Sequence, residues 1–306
     1  MSSHFITGLE LDKSQILKLL ALASDIKQQP QEFAHALAGK SVVTLFEKPS
    51  LRTRLSFDIG INKLGGHAVY LDQQNGAMGS RESVQDFALN IATWADALVA
   101  RVSSHHTLEV LAEYSDIPVV NSLCDLYHPC QALADFLTLQ EVFGDVSQIK
   151  LAYLGEGNNV CQSLLLLAAT LGADFVAVCP KGHSPDAQIV KQAEQIAAVN
   201  GASVLISDRI EAAAGANVLY TDTWVSMGSD TSLEQAKATF MPYQLNQTLL
   251  EQTGASTVLH CQPAHRGYEI TSEVMDGPKA RILQQAENRM HAQNALLLAL
   301  MNKQIV

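Results

Sequence analysis

Strand-like and helix-like segments alternate along most of this 306-residue chain, and that alternation restricts the fold more than any other feature of the sequence. Ser41–Phe46 is a short β-branched run, and the apolar spacing over residues 55–64 predicts a helix after it. The pattern begins again at Lys150–Leu154, which predicts a strand, and at residues 160–171, which predict a helix. Strands separated by helices are typical of α/β proteins with parallel sheets.

The two runs of alternating segments predict two domains, each a mostly parallel sheet flanked by helices. We expect the first domain over residues 1–145 and the second, a doubly wound sheet, over residues 146–285. The final segment, residues 286–306, is predicted to be a helix that crosses back to pack on the first domain.

The charge balance excludes several classes of partner. The chain has 20 Lys and Arg against 31 Asp and Glu, a formal net charge of −11. Nucleic-acid and anionic membrane surfaces normally need clustered cations, so neither partner is expected. The most apolar stretch, residues 164–179, is interrupted by Thr170, Gly172 and Asp174. It is shorter than the roughly 20 apolar residues that a membrane span needs.

The N-terminus and the cysteines predict the compartment. The first residues lack the basic and apolar regions of a secretion signal. The five cysteines form neither a CxxC pair nor a zinc-ligand spacing, which favours reduced and mostly buried thiols. We therefore expect a cytoplasmic protein.

The segment after the first strand has the features of an anion site. Ser50 is a good N-cap for a helix beginning at Leu51, so the N–H groups of Leu51 to Thr53 converge on one point. The helix dipole favours an anion there by about 0.3–1 kcal/mol. The hydroxyls of Ser50 and Thr53 add donors, and Arg52 or Arg54 adds charge. The alternative is an ordinary capped helix with two solvated arginines.

A second motif, His128-Pro129-Cys130-Gln131, predicts another helix start. Pro129 suits the first helical position, which places His128 at the cap. A helix N-terminus lowers the pKa of an imidazole, and the neutral ring can donate to a carbonyl oxygen. Gln131 offers an amide in the same direction. The alternative is a histidine that only caps or packs.

Three loops follow predicted strands in the second half, at residues 155–159, 222–228 and 260–263. Ligands of open α/β sheets bind outside the carboxyl ends of strands, so we expect these loops to share one crevice. Their carboxylate, amides, hydroxyl and thiol suit an amino acid. A dinucleotide is not expected, because Val160 stands where the third glycine of that fingerprint belongs.

In this order and spacing, the motifs make the chain resemble an ornithine carbamoyltransferase from about residue 39 to residue 304. The markers are SxRTR at 50–54, HPCQ at 128–131, NN at 158–159, DxWxSMG at 222–228, HCxP at 260–263 and AENRxH at 286–291. The resemblance implies transfer of the carbamoyl group of carbamoyl phosphate to the δ-amine of ornithine, giving citrulline and phosphate. It implies an active site in the interdomain cleft, no metal or organic cofactor, and a homotrimer or dimer of trimers. The direction of the reaction in arginine metabolism, anabolic or catabolic, stays open.

The resemblance also implies the roles of individual residues. Carbamoyl phosphate would be bound by Ser50, Leu51, Arg52, Thr53, Arg101, His128, Pro129, Cys130, Gln131, Cys261, Gln262 and Arg289. Ornithine would be bound by Asn159, Asp222, Ser226 and Met227. Catalysis would rest on Arg101, His128, Cys261 and Asp222, with either Cys261 or Asp222 handling the proton of the amine.

Three positions depart from the family pattern. Leu51 stands where Thr is usual, which matters little if only its N–H binds. Ala77 replaces a common Gln that reaches the neighbouring subunit, and Arg81 or Ser80 is a possible substitute. Gln262 replaces the usual Leu, a change without effect if only its carbonyl is used.

Two rival functions stay open. One is a sister carbamoyltransferase that acts on putrescine, aspartate or an acylated ornithine. The element Ser226-Met227-Gly228 argues against it, because the resemblance makes that element an α-amino-acid recognition loop. The other rival is a non-catalytic ligand-binding relative, which would have lost a central group such as Arg101 or His128, and both are present.

Overall fold

The computed structural model describes residues 4–72, 79, 82–225 and 232–302. A four-stranded parallel sheet forms the centre of the first unit of the fold. Its strands are β1 (Ser41–Phe46), β2 (His67–Asp72), β3 (Ala97–Arg101) and β4 (Val119–Leu123), in the order β2-β1-β3-β4. The chain therefore adds β2 on one side of β1 and then returns to add β3 on the other. That order makes the carboxyl ends of β1 and β3 a topological switch point.

Helices flank this sheet, and two of them begin where the sequence predicts. The helices are α1 (Lys13–Gln28), α2 (Leu51–Lys63), α3 (Val84–Ile91), α4 (His105–Glu113), α5 (Pro129–Phe143) and the C-terminal α11 (Ile282–Asn302). Ser50 is the N-cap of α2 in extended conformation, and Pro129 is the first residue of α5. Both predicted helix starts are confirmed.

The second unit is a five-stranded, fully parallel sheet with helices around it. Its strands are β5 (Lys150–Leu154), β6 (Asp174–Val178), β7 (Val204–Ser207), β8 (Val218–Thr221) and β9 (Thr257–His260), in the order β7-β6-β5-β8-β9. Its helices are α6 (Asn159–Leu171), α7 (Ala187–Asn200), α8 (Leu233–Phe240), α9 (Gln247–Thr253) and α10 (Ser272–Met275). The predicted doubly wound sheet is confirmed, with its switch point between β5 and β8.

The chain divides into two compact units. The first contains Met1–Leu137 and Glu287–Val306, and the second contains Thr138–Ala286. The first division falls inside α5, eight residues before the predicted boundary at residue 145. The second falls inside α11, one residue after the predicted boundary at residue 285. Because a helix continues through each of these positions, no linker is visible in the sequence.

Two predicted elements differ in their bounds. The strand expected at residues 117–121 is β4, Val119–Leu123, because Pro118 precedes it and has no N–H for a sheet hydrogen bond. The C-terminal helix begins at Ile282, four residues before its predicted start. In the part of the chain that the structure describes, every helix is too short or too polar to cross a membrane.

Candidate active site

The first group of candidate residues lies at the switch point of the first sheet. Phe46, which ends β1, is the register partner of Arg101, which ends β3. The loop to Ser50 and the start of α2 therefore leave the sheet beside Arg101. The Ser50 side chain takes none of the first-turn N–H groups of α2 and instead donates to Thr53 Oγ1 at 3.0 Å. The helix terminus is thus left to bind an anion with its backbone.

Arg289 of α11 connects two of the predicted motifs. Its guanidinium donates to Thr53 Oγ1 at 2.9 Å and to Gln131 Oε1 at 2.5 Å. The Gln131 amide in turn donates from Nε2 to Asp135 Oδ1 at 2.7 Å. All four side chains are buried. A planar guanidinium holds both acceptors in one fixed geometry, whereas the donors of an ammonium rotate.

Two cations and a neutral imidazole share this region. Arg101 and Arg289 are each about 5% exposed. Burial, and then the charge of Arg289, lower the pKa of Arg101 to about 10, so it stays protonated at neutral pH. Burial first, then Arg289 and Arg101, hold the pKa of His128 well below 6.5. The site therefore combines two positive charges with an uncharged imidazole, an arrangement that favours an anionic ligand bearing a carbonyl group.

The remaining residues of the two motifs differ in what they contact. Leu51 and Arg52 are exposed at the first turn of α2. Arg54 Cζ lies 3.7 Å from the centroid of the Tyr70 ring, and the guanidinium pairs with Asp58 on the surface of α2.

Cys130 lies inside the fold, beside β4. Its thiol donates to the carbonyl of Asn121 at 3.3 Å. Burial raises the pKa of Cys130 to about 12, which leaves the thiol protonated at neutral pH. Only backbone atoms of Pro129 and Cys130 can serve the ligand role that the resemblance implies, since proline offers no side-chain polar group and the thiol is engaged.

The second group lies at the switch point of the second sheet, where β5 and β8 are neighbours. Asn158, in the loop after β5, caps α6 by accepting from the N–H groups of Val160 and Cys161. Its Nδ2 donates to Asp222 Oδ2, in the loop after β8, at 2.9 Å. The buried Asp222 carboxylate is therefore oriented across the switch point. Asn159, assigned to ornithine from the resemblance, is the first residue of α6.

The loop after β9 brings Cys261 to the same carboxylate. Cys261 Sγ donates to Asp222 Oδ1 at 2.9 Å, and the Thr223 N–H donates to the same oxygen at 2.8 Å. Gln262 has a positive φ of 60°, and its N–H donates to His260 Nδ1 at 2.9 Å. A carboxylate with three donors, one of them a thiol, can orient an amine or take up its proton.

Asp222, His260 and Cys261 also form a set of metal-ligating types, with ligand atoms within 4.8 Å of one another. The imidazole is already engaged at both nitrogens: Nδ1 accepts from Gln262, and Nε2 lies 3.2 Å from Glu269 Oε1. Only the thiol and the carboxylate are left, fewer than the three protein ligands of catalytic zinc sites. We assign no metal to this set.

The structure thus groups Ser50, Thr53, Arg101, His128, Gln131 and Arg289 in the first unit, and Asp222 with Cys261 in the second. Ser226 and Met227 lie outside the described residues, as do Ala77, Ser80 and Arg81.

Comparison with known proteins identifies the family. Residues 3–141 match the model of the aspartate/ornithine carbamoyltransferase carbamoyl-P binding domain, and residues 147–300 match the Asp/Orn binding domain of that family. The ornithine carbamoyltransferase of Vibrio sp. (strain 2693) is 65% identical over 298 residues, which cover 97% of this chain and 99% of that protein. The chain belongs to the aspartate/ornithine carbamoyltransferase family. The ornithine carbamoyltransferase of Shewanella oneidensis is 58% identical over 97% of this chain and 99% of that protein.

Solved structures of the family agree with the fold. The ornithine carbamoyltransferase of Pyrococcus furiosus superposes with a TM-score of 0.94 at 40% identity, covering 99% of this chain and 98% of that one. The anabolic ornithine carbamoyltransferase of Campylobacter jejuni gives a TM-score of 0.92 at 35% identity, covering 98% and 99%. The family resemblance and the two-sheet α/β architecture are both confirmed.

Two contacts of this carbamoyltransferase site escape a motif-by-motif prediction. Asn158 orients Asp222, although its neighbour Asn159 is the residue assigned a role. Asp135 binds Gln131 from one turn further along α5. Its signal was present in the sequence: a carboxylate four residues after Gln131, within residues 132–137, which are otherwise apolar.

The depressed pKa of His128 makes stability depend on pH. The unfolded chain, with a histidine pKa near 6.5, binds a proton that the folded protein excludes, so folding is favoured above pH 6.5 and weakened below it. We expect His128→Asn to remove up to about 1.4 kcal/mol per pH unit from the pH dependence of the unfolding free energy below pH 6.5. Urea denaturation at several pH values measures it. The matched control is His35→Asn, at an exposed position, and equal slopes for the His128 variant and the wild type would contradict the assignment.

Proposed function

We propose that this chain is an ornithine carbamoyltransferase that transfers the carbamoyl group of carbamoyl phosphate to the δ-amine of L-ornithine, giving L-citrulline and phosphate in arginine metabolism. One observation carries the proposal: buried Arg101 and neutral His128, among the residues that match the carbamoyl-P binding domain, lie in the same unit as buried Arg289. Two buried cations suit a phosphorylated substrate, and the neutral imidazole suits its carbonyl oxygen. The similarity to ornithine carbamoyltransferases at 58–65% identity supports the same substrate pair.

The residues assigned to carbamoyl phosphate stabilise negative charge at two places, the phosphate and the carbonyl oxygen. The N–H groups at the start of α2, with Ser50, Arg52 and Arg101, hold the phosphate, and their charge stabilises it as it leaves. The carbonyl oxygen becomes negative when the amine attacks, and Thr53, Arg101 and His128 donate to it. Loss of one such donor typically costs about 10²–10³ in rate. Backbone atoms of Leu51, Pro129 and Cys130 and the carbonyls of Cys261 and Gln262 complete the set.

The residues assigned to ornithine bind its α-amino-acid end and handle the proton of its δ-amine. The α-amino and carboxylate groups of ornithine are bound by Asn159, Asp222, Ser226 and Met227, with Asp222 held by Asn158. An alkyl ammonium has a reference pKa near 10.4, so the δ-amine must lose a proton before it attacks. Cys261 and Asp222 share a hydrogen bond and are the two candidate acceptors. The reaction needs no cofactor, since both substrates supply all atoms of the product.

We place the enzyme in the cytoplasm, with reduced cysteines, as a homotrimer or dimer of trimers. The five cysteines form no disulfide among the described residues. The surface of α2 carries three exposed apolar side chains at helical spacing, Leu51, Leu55 and Ile59. An apolar stripe of this kind on an exposed helix face is typical of a protein interface. A second copy of the chain, bound on this stripe, is its proposed partner.

The oligomer proposal predicts that Ile59→Glu shifts the protein to a lower mass, because a charge would be buried in the interface. Sedimentation equilibrium measures the mass against a 33.1 kDa chain. The matched control is Val199→Glu on α7, an exposed apolar residue of the other unit. A wild type that is monomeric at micromolar concentration, or an Ile59 variant of unchanged mass, would contradict the proposal.

Substrate comparison tests the function directly. We expect carbamoyl transfer from carbamoyl phosphate to be at least about 10³-fold more efficient, as kcat/KM, with ornithine than with putrescine, N-acetylornithine or aspartate. Each rival lacks a group for which the site offers partners, and buried partners left unsatisfied cost about 10²–10⁵ in discrimination. Colorimetric detection of the ureido product measures the rate. A rival that exceeds ornithine would overturn the proposed substrate, and no transfer to any amine would favour a non-catalytic relative.

Two variants test the division of labour between the two substrates. Arg52→Ala is expected to raise the KM of carbamoyl phosphate by about tenfold or more, because it removes one charged contact to the phosphate. Asp222→Ala is expected to raise the KM of ornithine and to change the KM of carbamoyl phosphate by less than about threefold. Arg209→Ala and Asp116→Ala, at exposed positions, are the matched controls. Equal effects of either site variant on both substrates would show that the roles are assigned wrongly.

A further inference from the structure

We propose that Asp135 is a positioning residue that fixes the orientation of the Gln131 amide and thereby makes the site select a carbamoyl group over an acetyl group. The inference rests on the proposed function and extends it from the substrate to the residue that selects the acyl group. Asp135 lies on α5, one turn after Gln131, with a relative exposure of 0%.

The contacts of Gln131 leave its amide one orientation. Gln131 Nε2 donates to Asp135 Oδ1 at 2.7 Å, and Gln131 Oε1 accepts from Arg289 at 2.5 Å. Asp135 Oδ1 therefore acts as an acceptor toward this amide, and a guanidinium only donates. Turning the amide over would set an oxygen against the carboxylate and an NH₂ against the guanidinium. Both neighbours therefore enforce the same orientation.

Burial makes this orientation strict. Gln131 and Asp135 are almost completely buried, so bulk water cannot replace a partner that turns away. Arg289 is held independently by Thr53 Oγ1 at 2.9 Å, so it cannot follow the amide if the amide turns. A buried donor or acceptor without its partner is costly. By binding Gln131 Nε2, the Asp135 carboxylate therefore also sets the direction in which Gln131 Oε1 points.

The orientation of the Gln131 amide decides which of its atoms faces the substrate. Gln131 Oε1 keeps a second lone pair after it accepts from Arg289. That lone pair can accept a hydrogen bond from the NH₂ of a carbamoyl group, whereas the methyl of an acetyl group offers no donor. The carbonyl oxygen, common to both, is recognised by donors such as His128 and Arg101. Within the first unit, discrimination between the two acyl groups thus falls to the acceptor that Asp135 sets in place.

A matched pair of stable ligands isolates this effect. Phosphonoacetamide and acetonylphosphonate differ only in an NH₂ against a CH₃, so their phosphonate contacts cancel in a ratio of affinities. We expect isothermal titration calorimetry to show that the wild type binds phosphonoacetamide at least about tenfold more tightly. In Asp135→Asn the preference should fall below about threefold, because asparagine can either accept from or donate to the Gln131 amide, and only Arg289 then still favours the wild-type orientation. Binding of acetonylphosphonate should change by less than about threefold.

A double variant tests the same idea by exchanging donor and acceptor. In Asp135→Asn with Gln131→Glu, the asparagine donates to the new carboxylate, whose other oxygen faces Arg289. The preference for phosphonoacetamide should return to within about threefold of the wild type. This variant also decides the matter if the single variant does not fold. The matched control is Asp116→Asn, an exposed residue of the same unit.

The possible results separate the two proposals. A preference unchanged in Asp135→Asn, or not restored in the double variant, would overturn the role of Asp135 while leaving carbamoyl transfer intact. A wild type that binds both ligands equally would overturn it as well. A wild type that binds neither phosphonate would instead contradict the proposed carbamoyl phosphate site. Calorimetry needs no turnover, so these results do not depend on the identity of the amine.

Discussion

The buried pair of like charges, Arg101 and Arg289, is the constraint to which the rest of the first unit is adapted. Two guanidinium groups removed from water repel one another, and burial together with this repulsion lowers the pKa of Arg101. Arg289 is held in spite of this by neutral oxygens, those of Thr53 and Gln131. Asp135 lies one residue further away and accepts from the other end of the Gln131 amide. The two guanidinium groups are thus kept in the first unit beside the start of α2, where a positive charge favours an anion.

In both sheets the candidate site residues are brought together in the same way. In a parallel sheet the loops on either side of a switch point diverge and leave room for a ligand. The start of α2 and Arg101 lie at that point in the first sheet, and Asn158 and Asp222 lie at it in the second. In each case a helix N-terminus lies beside it: the Asn158 side chain caps α6 in the second sheet, whereas the Ser50 side chain leaves the N–H groups of α2 uncapped in the first. Strand order, more than any single side chain, therefore determines which loops can act together.

Much of the fold was readable because local chemistry and tertiary context agreed. α5 begins at Pro129 and β5 is Lys150–Leu154, as predicted, since both carry strong local signals. α1 was not predicted, although Asp12 and Gln15 form a capping box at its start, a signal visible in the sequence. β2 is only half-buried at the edge of its sheet, so its pattern is weak. The net charge of −11 described the solvated exterior and not the ligand, because a few placed arginines and a helix terminus are enough to bind an anion.

The sequence by itself determined many of the element types, the starts of α2 and α5 and the family, because capping, proline geometry and apolar periodicity act over a few residues. Tertiary structure decided the direction in which each side chain acts. Arg54 turns to Tyr70, the Cys130 thiol turns to the carbonyl of Asn121, and Arg289 reaches Gln131, 158 positions away along the chain. Such choices depend on which partners lie within hydrogen-bonding distance after packing. That distance is set by strand order and burial, which no local stretch of sequence contains.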